Sequence, residues 1–78
     1  MYTFEEYREM VKNSFFEDFE GKQLPKAKNY FSSEEAQDEI RVQYKRDIKK
    51  LEAGEITDKV FRNGCVDGTA YTLFLMMK

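Results

Sequence analysis

The sequence predicts an all-α fold, a compact three- to four-helix domain, and three observations lead there. Apolar residues recur at helical spacing in two long segments, and Ser, Thr and Asp stand where helices need N-caps. No segment alternates cleanly at the two-residue period of a half-buried strand. Seventy-eight residues hold one core, because a chain this short cannot divide its apolar side chains and keep two interiors dry; residues 1-78 are read as a single domain.

The first helix is expected over about residues 4–20. Thr3 with Glu6 forms a capping-box pattern, and Tyr2 can staple onto Tyr7. At about 100° per residue, Phe4, Tyr7, Val11, Phe15 and Phe19 share an arc of about 120°, and Gly21 is placed to leave the helix in a left-handed conformation. Lys22 to Ser33 reads as a basic connector with at most one turn after Pro25, since a residue before proline disfavours the helical region. Ser32 and Glu35 then open a second long helix, about 33–53, with Ala36, Ile40, Tyr44, Ile48 and Leu51 in phase and Gly54 as its stop.

Beyond Gly54 two readings compete. In the first, Thr57 caps a short helix over about 58–63 that Gly64 ends, and Asp67 caps a last helix over about 68–77, apolar on nearly all sides. In the second, Asn63-Gly64 is a hairpin turn and the fold becomes α+β. A return arm of Cys65 to Asp67 has little to pair with, and a lone short hairpin is marginal in water. The helical reading is preferred, with RNGCVDG as punctuation between helices.

Seven Phe and five Tyr, with no Trp, must supply much of the core. Each ring removes about 150–250 Å² from water. Net charge is −2: residues 1–20 carry −4 and residues 21–31 carry +3. Glu5, Glu6 and Glu9 stand where a signal peptide needs basic residues, and the longest apolar run, Leu73 to Met77, is far short of a membrane span. A cytoplasmic protein that does not enter membranes is expected.

The usual equipment of enzymes is missing. An EF-hand frame on Gly68 puts Cys65 and Phe74 where oxygen ligands belong, and the glycine spacing matches no phosphate loop. With no histidine and one cysteine, Cys65 lacks a paired base and ordinary zinc sites are excluded. The acids of the first turns are ordinary helix-dipole partners. No catalytic, cofactor-binding or metal residue is therefore expected, and no cofactor.

Two binding surfaces remain. On the second helix Arg41, Lys45 and Lys49 form a row, with Arg46 and Lys50 beside it, which suits a nucleic-acid backbone. Phe16 lies about 120° from Phe4, among Glu5, Glu9 and Lys12, and Val42 falls within the charged arc of the second helix. Apolar groups ringed by charge suit an anchor for a protein partner. The favoured expectation is a non-enzymatic, acidic protein-binding module acting on a larger protein or protein complex; the alternative is a nucleic-acid-binding accessory protein, and the apolar last helix also admits a homodimer.

In size, acidity and lack of catalytic groups the chain resembles the small inhibitors encoded by bacterial viruses and mobile elements, anti-CRISPR proteins among them. That resemblance implies a bacterial defence complex as target, with the acids of residues 5–20 and 34–39 meeting a basic nucleic-acid channel.

Overall fold

In the computed structural model, which describes residues 1–78, α1 (Phe4–Phe16), α2 (Gln23–Phe31) and α3 (Glu34–Glu52) lead into a final helical rod made of α4 (Asp58–Val60), a π-helical turn (Phe61–Cys65) and α5 (Val66–Met77). The fold is all-α with no strand, so the α+β alternative is set aside. α1 and α5 share the largest helix–helix interface, and α3 closes over both.

The α1 N-terminus is as the sequence predicts: the Thr3 hydroxyl accepts from the Glu6 amide at 3.1 Å, and the Glu6 carboxylate accepts from the Thr3 amide at 2.8 Å. Tyr2 does not staple onto Tyr7. Its ring stacks on Phe61 at 5.0 Å and its hydroxyl donates to Asp58 at 2.7 Å, tying the chain start to the final rod. The helix also ends at Phe16, not near residue 20. Its last turn holds no cation, and Glu17, Asp18 and Glu20 follow at the negative end of the dipole, where further helical turns are disfavoured. Phe19 is still buried, folded back to 5.0 Å from Phe15 and 5.9 Å from Phe74.

The connector is a helix. α2 begins two residues before Pro25, whose missing amide falls in the first turn, where no intrahelical partner exists. Burial of Ala27 and Phe31, one turn apart, outweighs the local bias of Leu24 against helix. Gly21, at φ 57°, makes the left-handed turn into α2. At the next junction Ser33, not Ser32, is the N-cap, accepting from the Ala36 amide at 3.3 Å. The Ser32 hydroxyl donates back to the carbonyls of Lys28 and Asn29. Gly54, at φ 75°, ends α3 as expected.

Thr57 caps the final rod as predicted, accepting from the Val60 amide at 3.1 Å. The expected break into helices 58–63 and 68–77 does not occur: Gly64 and Gly68 lack the left-handed φ of Gly21 and Gly54, and Asp67 lies inside α5 and caps nothing. The physical reason is phase. Phe61 and Val66 are both buried, five residues apart, one more than a regular turn accommodates on a single face. The π turn absorbs the extra residue, so Phe61, Val66, Ala70 and Leu73 all face the core along one continuous rod. RNGCVDG is a register shift within a helix.

Candidate functional site

The most buried polar groups are three residues on three different helices. Tyr7 of α1 and Thr69 of α5 are essentially inaccessible, and Asp47 of α3 is 2% exposed. The Tyr7 hydroxyl donates to Asp47 Oδ2 at 2.9 Å and lies 2.6 Å from Thr69 Oγ1. Tyr7 has one proton and gives it to the carboxylate, so the Thr69 hydroxyl is the donor in the second bond. Arg46 Nε donates to Asp47 Oδ1 at 3.3 Å. The chain Thr69 to Tyr7 to Asp47 is complete, and no buried side-chain nitrogen or oxygen in the protein lacks a partner.

Burial, reinforced by the Asp47 carboxylate, pushes the Tyr7 phenol well above its ordinary range. Cys65, half-buried at the end of the π turn, is pushed up for the same two reasons, so the thiol stays protonated at neutral pH although Lys50 and Arg46 pull the other way. None of the larger surface clefts is lined by Tyr7, Asp47 or Thr69. The three groups are therefore placed to lock α1, α3 and α5 in register. Sequence reasoning missed this network because each member sits at a core position of its own helix: Asp47 is seven residues after Ile40, and Thr69 lies between Val66 and Leu73.

The residues proposed as a partner anchor are dispersed. Phe16 is half-buried, edge-on to Phe31 at 5.5 Å, because α2 forms where a loose connector was expected. Glu9 and Lys12 pair at 2.9 Å on the α1 surface, and Glu5 is exposed nearby in the first turn. Val42 stands alone on α3, 62% exposed. The α3 stripe is on the surface too, but two of its cations are engaged. Arg41 pairs with Asp38 at 3.2 Å and covers the Phe4 ring at 5.0 Å, whereas Arg46 holds Asp47 and Gln43. Lys45, Lys49 and Lys50 are exposed without a carboxylate partner.

The strongest outward apolar feature is on α5. With Leu73 inward, Tyr71 and Leu75 fall within about 20° of the opposite direction at about 100° per residue. Tyr71 is 61% exposed and Leu75 52%. No charged side chain lies between Asp67 and Lys78, so this face offers solvent a band of apolar surface. Beside it a shallow cleft between α1 and α5 is lined by Glu17, Asp18, Asp67 and the Tyr71 and Phe74 rings. Asp67 accepts from the Ser14 hydroxyl at 2.8 Å, which fixes the carboxylate at the rim. The uniform apolarity of the last helix is legible in the sequence; which of its faces the other helices cover is not.

No group of three or more His, Cys, Asp or Glu side chains converges on a common point as metal ligands would. No helix is long and apolar enough to cross a membrane. Comparison with protein-family models, curated proteins and solved structures gave no match.

Proposed function

We propose that the protein is a non-catalytic protein-binding module whose docking surface is the outward face of α5. One observation carries this reading. Tyr71 and Leu75 are large, exposed and adjacent on a regular helix that the buried face already anchors, and aromatic and aliphatic side chains so placed form the centre of protein contacts. The carboxylates of Glu17, Asp18 and Asp67 give that centre an acidic rim. Inhibition of a bacterial defence complex is the finer form of the proposal. The exposed acids at Glu5, Glu9, Glu34, Glu35 and Asp38 suit a basic target surface.

The test is retention of a stoichiometric protein by the tagged chain, compared between Leu75→Asp and Val42→Asp. Loss with Leu75→Asp alone, at unchanged helicity, supports the α5 surface; loss with Val42→Asp alone moves the contact to α3. A second reading, nucleic-acid binding along α3, is favoured by the unpaired Lys45, Lys49 and Lys50. It requires binding to a labelled duplex that falls steeply with salt and with those lysines removed.

A further inference from the structure

The outward face of α5 is its own complement. Along α5 and its C-cap the order is Asp67, Tyr71, Leu75, Lys78, acid first and base last with the two apolar groups between. Continuing about 100° per residue one step past Met77 to the C-cap, Asp67 and Lys78 lie within about 20° of one another, on the same flank of the Tyr71–Leu75 face, separated by about 16 Å along the axis. Neither has an oppositely charged partner within the chain: Asp67 takes only the Ser14 hydroxyl, and Lys78 rests its ammonium over the Phe74 ring at 4.4 Å.

We infer that the occupant of this face is a second copy of the same chain, docked antiparallel about a two-fold axis near Thr72 and Leu73. The inference rests on α5 being the protein-docking surface and names its partner. A two-fold axis perpendicular to two facing antiparallel helices keeps each flank on its own side and reverses direction along the rod, so every contact occurs twice. Tyr71 then meets Leu75 of the second copy, and Asp67 meets Lys78 of the second copy, all from one choice of axis. Lys78 of each copy also reaches the acidic cleft where Glu17 and Asp18 flank Asp67. A parallel pairing would carry the charged flank of the second copy to the opposite side, with Asp67 level with Asp67 and Lys78 level with Lys78, so no ion pair would form. Gly68, on the same outward side with open space around its Cα, lets the second backbone approach closely.

Sedimentation velocity of the full chain from low micromolar to near-millimolar concentration tests this directly. The expected result is a reversible monomer–dimer equilibrium. Leu75→Asp raises its dissociation constant by roughly a hundredfold at unchanged helicity. Asp67→Lys and Lys78→Asp each weaken it several-fold, and combining the two reversals restores it, a rescue that loss of fold cannot imitate. A monomer throughout the series overturns the inference, as does a dimer that the double reversal weakens further. If the wild type is monomeric while Leu75→Asp still abolishes retention of another protein, the docking surface stands and only its occupant is wrong. If Leu75→Asp changes neither behaviour, both readings fall.

Discussion

The final helical rod has two faces that use apolar residues in opposite ways. Inward, Phe61, Val66, Ala70 and Leu73 are buried against α1 and α3, and Thr69 closes a polar network among them. Outward, Tyr71 and Leu75 repeat the same chemistry with more than half of their surface open to solvent. A helix apolar on both sides is either a central core helix or one with a second partner, and hydropathy alone does not separate the cases. Here the domain is too small to cover the rod fully, so one face folds the protein and the other is left exposed to solvent.

That contrast predicts a graded series of substitution effects. Phe61→Ala removes a fully buried ring that stacks on Tyr2 and packs at a tilt against Tyr7, so a loss of about 3–5 kcal/mol is expected in urea denaturation. Tyr7→Phe keeps the ring but leaves the buried Asp47 oxygen and Thr69 hydroxyl short of a partner, for a loss of about 1–3 kcal/mol. It also changes the alkaline limb of stability. The Tyr7 phenol is raised in the folded state, so its contribution is fully present below the unfolded phenol's pKa near 10 and is lost as pH rises beyond it. Tyr2 and Tyr30, the latter pushed up to about 12, act in the same direction. The wild-type decline above pH of about 10 should therefore become shallower in Tyr7→Phe by up to about 1.4 kcal/mol per pH unit. A parallel decline in both proteins would show that the inner network does not titrate with unfolding.

Gly64→Ala sharpens the contrast from within the π turn. The residue is helical, and a Cβ there would meet Val60 Cγ1 at an ordinary 3.7 Å, so about 0.5–1 kcal/mol of added stability is expected in thermal unfolding. A loss instead would mean that the π turn needs glycine after all. The smallest effect belongs to the outer face: Leu75→Gln, which keeps helix propensity and adds no charge in the last turn of α5, should alter the stability of dilute protein by less than about 0.5 kcal/mol. A larger loss would place Leu75 in the fold and remove it from the docking surface.

The legible parts of the fold were those that local chemistry specifies. The capping box at Thr3 and Glu6, the cap at Thr57 and the left-handed Gly21 and Gly54 each involve groups a few residues apart. Misread elements depended on distant partners. Pro25 looked like a helix barrier until Ala27 and Phe31 found the core, and that same packing covers Phe16. Gly64 looked like a stop until Phe61 and Val66 both had to face inward. Among the exposed apolar residues, the exposure of Val42 was legible from its place among charges, whereas Tyr71 and Leu75 could be told from their inward neighbours only once the direction of the core was known.

By itself the sequence determined an all-α chain, the capped starts at Thr3 and Thr57 and the positive φ of Gly21 and Gly54, because these follow from short-range hydrogen bonding and backbone sterics. Only the tertiary structure decided that α2 exists, that residues 58–77 form one rod through a π turn, and which face of that rod is left open. Those outcomes are set by where Tyr7, Phe15, Ile40 and Phe61 meet in the core. Burial there is worth more than a local preference at Leu24 or Gly64, and no local pattern states which residues will share it.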